Sequence, residues 1–227
     1  MHRHSIVPFA GLVGLGLLSI SLLGARGTAM PPLAPAPIGA QHLATFAGGC
    51  FWSMQKAFDG VAGVISVTAG YAGGTTVNPS YEDVETSKTG HAESVQVIYD
   101  PARISYQRLL DIYWHHIDPL TPNAAFCDHG AQYRSIIFYR DAEQQRLAEA
   151  SKRELDRSHR FATPIVTAIQ PATAFYPAEE YHQRFYKKNP ARYEAYRIGC
   201  RRDERLRQLW GEGRESRVVR RETGAAR

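Results

Sequence analysis

Short apolar runs of period two alternate along the chain with longer stretches of helical period, and this predicts strands and helices taken in turn. His42 to Ala47 is short and apolar, ends at two glycines and reads as a strand, and Phe51 to Phe58 has helical spacing. Val64 to Tyr71 is strand-like, and Gly73 to Lys88 is a polar loop of turn formers. Glu93 to Tyr99 alternates, with Val95, Val97 and Tyr99 on one side and Ser94, Gln96 and Ile98 on the other. Tyr106 to His116 repeats its apolar residues at helical intervals. Arg134 to Tyr139 predicts a strand, Ala142 to Ser158 a charged amphipathic helix, and Ile165 to Ile169 a strand. Two last helices are expected around Ala178 to Lys187 and Pro190 to Tyr196. Strands interleaved with helices on a small chain indicate one two-layer α/β domain over about residues 40–200, with strand order left open. No internal repeat is visible.

The ends read differently. Arg3 opens a short basic start, Ile6 to Leu23 is almost free of charge, and Gly27 and Ala29 are spaced like a signal-peptidase site. The expected organisation is a signal peptide at 1–29, a Pro/Ala-rich linker at 30–40, a domain at 41–210 and a basic, disordered tail at 211–227. Its alternative is an uncleaved N-terminal membrane anchor, because the apolar run is near the lower limit for a spanning helix. An exported protein of the bacterial periplasm is the expectation.

Charge changes the picture little. The formal net charge is +5, but of 27 Lys and Arg two lie in residues 1–30 and nine in 201–227, against none and five of the 22 acids. The body from 31 to 200 therefore has 16 basic and 17 acidic residues and lacks the basic face of a nucleic-acid binder. The whole segment from residue 201 reads as a solvated end.

Three cysteines remain, Cys50, Cys127 and Cys200, an odd count for an exported chain. Cys50 follows a predicted strand and two glycines and begins a predicted helix. Free amides and the helix dipole at that end favour thiolate, so a lowered pKa is expected there. Phe51 and Trp52 could pack an apolar substrate group beside it, or all three could simply be core.

The stretches Ala47-Gly48-Gly49-Cys50-Phe51-Trp52, Gly70-Tyr71-Ala72-Gly73-Gly74, Asn78-Pro79-Ser80-Tyr81 and Thr89-Gly90-His91-Ala92-Glu93 have a common bearing. So do Tyr99-Asp100-Pro101, Asp128 through Ser135, and Glu179-Glu180-Tyr181-His182-Gln183. In this order they resemble the peptide methionine sulfoxide reductase A family over most of residues 44–210. The resemblance implies a single-domain α/β (α+β) fold, a two-layer sandwich with a ferredoxin-like mixed sheet and helices. It implies reduction of the S epimer of methionine sulfoxide, free or in proteins, through a cysteine sulfenic acid and an intramolecular disulfide.

Residue by residue, the nucleophile maps onto Cys50 and the acid onto Glu93, with hydroxyl donors at Tyr81 and Tyr133. Asp128 maps onto a residue that positions substrate or an ordered water, and Phe51 and Trp52 onto the pocket for the substrate methyl. The chemistry is coherent, because oxide cannot leave unprotonated and a buried carboxylic acid can supply the proton. The candidate resolving thiol is Cys200, in a segment that departs from one family branch by having Arg201 where a glycine is usual. Cys127 is read as inert packing, with a second resolving thiol as the alternative. His91 reads as a loop or supporting residue and His115-His116 as helix surface; no metal and no bound cofactor are expected. The expected partners are oxidised proteins or peptides, free methionine sulfoxide and an external dithiol reductant, thioredoxin or thioredoxin-like, around a monomer. Two other readings stay open: a thiol peroxidase-like enzyme, and an exported binding domain with a permanent Cys50–Cys200 bridge.

Overall fold

A computed structural model describes residues 42–211; the signal and linker expectations, and the tail expectation beyond Gly211, lie outside the described residues. Its centre is a six-stranded sheet in which β1 (His42–Gly48), β2 (Val64–Ala72) and β3 (Ala92–Tyr99) are the long strands. β3 lies between β1 and β2 and is antiparallel to both, and β6 (Ser135–Tyr139) is antiparallel to β1 on its other side. The order β6-β1-β3-β2, with α1 (Phe51–Phe58) after β1 and α3 (Tyr106–His115) after β3, is the expected ferredoxin-like arrangement. Two short strands extend it, β7 (Ala168–Pro171) parallel to β6 and β8 (Phe175–Pro177) antiparallel to β2. A hairpin of β4 (Ala124–Ala125) and β5 (Asp128–His129) stands apart from this sheet.

The alternation seen in the sequence decides which face is packed. On β3, Glu93, Val95, Val97 and Tyr99 share one face, and all four are buried. α1 and α3 cover that face through Phe51, Met54, Phe58, Leu109, Leu110 and Tyr113 in one continuous core. Tyr113 is tied in by its hydroxyl, which donates to the Ala47 carbonyl at 2.9 Å. Helix starts carry their own caps, as expected where Ser or Asp precedes an apolar period. Ser105 accepts from the Arg108 amide at 3.1 Å, and Asp141 from the Gln144 amide at 2.8 Å to open α4 (Ala142–Arg157).

Four local expectations are corrected. The Gly73–Lys88 loop contains a short helix, α2 (Tyr81–Glu85), because Ser80 and Asp83 form a reciprocal capping box. The strand expected at Ile165–Ile169 begins only at Ala168, since the Val166 amide donates to the Pro119 carbonyl instead of a ladder partner. The helix expected from Ala178 is confined to α5 (Phe185–Lys188), since Arg184 is left-handed at φ +50° and breaks the run. The segment from residue 201 is not simply a solvated end. After α6 (Pro190–Gly199), α7 (Arg202–Trp210) buries Leu209 and Trp210, and the Trp210 indole donates to the Ile117 carbonyl at 3.1 Å.

One contact near β2 matters for the sheet edge. Just past β8 the Ala178 amide still donates to the Ala69 carbonyl at 2.9 Å, and the Gln183 side chain joins it: its oxygen accepts from the Ala69 amide at 3.0 Å, and its nitrogen donates to the Ala69 carbonyl at 2.8 Å.

Candidate active site

Cys50 is the N-cap of α1 and is 6% exposed. β1 delivers it through Gly49, whose φ of +85° is open to glycine and whose added Cβ would stand 2.5 Å from Ala125 Cβ. Cys50 makes no side-chain capping hydrogen bond, and the Trp52 amide at the start of the helix acts on its sulfur only in the direction that favours thiolate. The expected lowered pKa is nevertheless overturned: burial pushes the Cys50 thiol well above its ordinary value, with Glu93 and Asp128 adding to it, and outweighs the helix end.

Glu93 lies on the buried face of β3, and its Oε2 accepts the Phe51 amide, the first N–H of α1, at 2.9 Å. Burial raises its pKa to about 8, with Asp128 and Glu85 adding to it and the Phe51 amide opposing. At neutral pH most of it is therefore protonated, an acid held one residue from the thiol. Tyr81 opens α2 and Tyr133 ends the 3-10 turn Ala131–Tyr133. Burial raises the pKa of both phenols, and Glu93 lies near enough to add to it once ionised, so they remain hydrogen-bond donors.

The motif around Glu179 to Gln183 is scaffold. Glu179 accepts the Tyr71 hydroxyl and the Tyr81 amide, each at 2.8 Å, and so fixes the entry to α2. The Trp52 indole donates to His182 Nδ1 at 3.0 Å, and Phe185 stacks on the Trp52 ring at 3.8 Å between centroids. Burial lowers the His182 pKa and keeps it neutral, as accepting that indole proton requires. His91 is buried in a supporting role, accepting the Gly74 amide at 3.1 Å. His115 is exposed, and the Nδ1 atoms of His115 and His116 each lie within hydrogen-bonding distance of a carbonyl one turn earlier.

Sequence reasoning missed Tyr196. Its hydroxyl donates to Asp128 Oδ2 at 2.5 Å and contacts the Cys50 sulfur, and its ring meets Trp52 edge-on at 5.8 Å. A tyrosine one turn ahead of Cys200 was the only signal available. Arg202, also missed, is a buried guanidinium over the Phe126 ring that donates to the His116 carbonyl at 2.6 Å.

The reading of Cys127 as inert is corrected. Cys127 and Cys200 form a disulfide with Cα atoms 4.9 Å apart, and Cys50 is the free thiol. The hairpin carrying Cys127 sits against the C-terminal end of α6, which spacing along the chain does not reveal. This arrangement has no Cys50–Cys200 bridge. Cys127, Asp128 and Cys200 place possible metal-ligand atoms within 4.8 Å of one another, but the two sulfurs are consumed by their mutual bond.

The family model for peptide methionine sulfoxide reductase matches residues 42–214. A peptide methionine sulfoxide reductase MsrA of Bacillus licheniformis is 51% identical over 171 residues, covering 75% of this chain and 94% of that protein. The protein of the same name from Listeria monocytogenes is 50% identical over 167 residues, covering 74% and 94%. Among solved structures, Saccharomyces cerevisiae Mxr1 in reduced form aligns with a TM-score of 0.64 at 32% identity, covering 69% of this chain and 90% of that one. Methionine sulfoxide reductase A of Corynebacterium diphtheriae aligns at 0.60 and 31% identity, covering 66% and 76%. A buried thiol, a protonated carboxyl beside it and this extent of likeness lead to one conclusion: the chain belongs to the peptide methionine sulfoxide reductase family and is an oxidoreductase that returns methionine sulfoxide to methionine.

Proposed function

We propose that the enzyme takes the S epimer of methionine sulfoxide, free or in oxidised proteins, with Cys50 as nucleophile and Glu93 as acid. The observation that carries this is the Glu93–Phe51 hydrogen bond, which puts a protonated carboxyl at the residue following the thiol. Cys50 sulfur attacks the substrate sulfur while Glu93 protonates the departing oxygen and Tyr81 and Tyr133 donate hydrogen bonds to it. The protonated oxygen then passes to the Cys50 sulfur as the transient bond between the two sulfurs breaks, so Cys50 is oxidised by two electrons to a sulfenic acid and the substrate sulfur is reduced by two to methionine. Phe51 and Trp52 hold the substrate methyl, and Asp128 orients the polar side.

The Cys200 thiolate then attacks the sulfenic sulfur, water leaves with the proton, and a Cys50–Cys200 disulfide forms. An external dithiol, thioredoxin or a thioredoxin-like protein, restores the thiols; the basic start and apolar run of the N-terminal sequence support export to the bacterial periplasm, which would call for a donor on that side. A peroxidase-like reading is weaker, because the Phe51 and Trp52 rings suit a methyl-bearing substrate better than a peroxide.

The test supplies each epimer with a dithiol to wild type and to Cys50→Ser. Turnover of the S epimer by wild type alone is expected; turnover by the variant, or R-epimer preference, refutes the assignment.

A further inference from the structure

Two consecutive residues of the hairpin segment hold the end of α6. Cys127 is bonded to Cys200, and Asp128 accepts the hydroxyl of Tyr196, four residues earlier on the same helix. Residues four apart share a helix face, so the covalent bond and the hydrogen bond close a small ring through the helix. Tyr196 is the inward member of that ring. Its phenol contacts the Cys50 sulfur and its ring lies against Trp52, so it stands where a sulfoxide would place its sulfur and methyl.

Exposure follows the same division. Cys50 is buried, whereas Cys127 is exposed. A reductant's thiolate, which must approach a disulfide sulfur directly, therefore reaches Cys127 and not Cys50.

We propose that the Cys127–Cys200 disulfide clamps Tyr196 over Cys50, so that the oxidised enzyme is closed to substrate until a dithiol reduces that bond. This rests on Cys50 as the reacting thiol. The clamp forms by exchange: the Cys127 thiolate attacks Cys200 of the Cys50–Cys200 disulfide, the new bond is Cys127–Cys200, and Cys50 leaves as thiolate and takes up the proton that Cys127 lost. No net oxidation occurs in that step. A dithiol then reopens the clamp, becoming a disulfide as Cys127 and Cys200 become thiols.

The arrangement has a chemical rationale. With Cys200 occupied, a second oxygen transfer would leave a Cys50 sulfenic acid without a partner, open to irreversible oxidation. Covering Cys50 in that interval prevents it.

The full-length protein is prepared oxidised, with its disulfide located by peptide mass mapping, and reduced with dithiothreitol. Iodoacetamide labelling of the Cys50 peptide is then followed by mass spectrometry. Cys50 in the oxidised wild type is expected to label at least about tenfold more slowly than in the reduced form, as for a closed state that must open first. Oxidised Tyr196→Ala should label like reduced protein, and oxidised Tyr196→Phe, which keeps the ring, should stay slow. Equal rates in both wild-type forms, a Tyr196→Phe as fast as Tyr196→Ala, or absence of the Cys127–Cys200 bond overturns the proposal. Turnover of methionine sulfoxide with dithiothreitol, measured on the same wild-type sample, reports separately on Cys50 catalysis, and its loss alone would refute that reading.

Discussion

Glu93 caps the helix that Cys50 opens: its carboxyl oxygen accepts the Phe51 amide at 2.9 Å. The contact couples the position of the Glu93 carboxyl to that of the Cys50 thiol, since both are set by the same first turn of α1. Burial holds the Glu93 pKa at about 8, so the acid is protonated below that pH and lost above it. With saturating substrate and dithiol, kcat is expected to fall as pH rises through about 8. Glu93→Gln should lower kcat by about a hundredfold or more and abolish that limb, since an amide cannot release the proton. A pH–rate profile unchanged in the variant refutes the role.

Arg201 occupies the left-handed region at φ +49°, directly after Cys200. A side chain there costs about 1 kcal/mol relative to glycine. The Arg201–Glu204 ion pair it makes is exposed and worth about 0.5 kcal/mol or less. Arg201→Gly should therefore raise stability by roughly 0.5 kcal/mol, read as a higher midpoint in denaturant. A lower midpoint would show that the left-handed backbone is not the dominant effect.

Gly49 has the opposite sensitivity. An added Cβ would stand 2.5 Å from Ala125 Cβ, and the backbone is at φ +85°. Gly49→Ala should destabilise by about 2 kcal/mol or more, combining strain with a shift of the hairpin. Thermal unfolding checks this, and a change below about 0.5 kcal/mol contradicts the packing described.

His182 adds an acid-side dependence. Its folded pKa lies below the ordinary 6.5, so the unfolded chain takes up the proton first as pH falls. The stability it contributes is present above about pH 6.5 and is lost as pH drops through the folded value. Protonating Nδ1 also breaks the Trp52 bond, so KM for methionine sulfoxide should rise on acidification. His182→Phe, which keeps a ring, should flatten the acid-side loss in a denaturant series.

The strands and helices that build the core were legible because their apolar residues repeat at clear periods, as in β3 and α1. Cys50, Glu93, Tyr81, Tyr133 and Asp128 each lie within a dense motif, which is what made them candidates. Tyr196 was not one, because its significance depends on α6 folding back over α1, which no local spacing encodes. The Cys127–Cys200 pairing is likewise a tertiary fact. The thiol's acidity was misjudged for a physical reason: a helix terminus acts through one turn of amides, whereas burial removes water on every side. α7 was hidden because arginines and acids dominate its sequence, and its inner side combines Leu206, Leu209 and Trp210 with a buried arginine, Arg202.

The Gln183 amide that pairs with Ala69 has a consequence for the company this enzyme keeps. An unpaired strand edge is a template on which another chain, a damaged one included, can add itself. Together with the Ala178 amide, the Gln183 side chain occupies both hydrogen-bonding groups of Ala69 just beyond the end of β8. At that point, a damaged chain finds no open hydrogen-bonding template on which to begin aggregation.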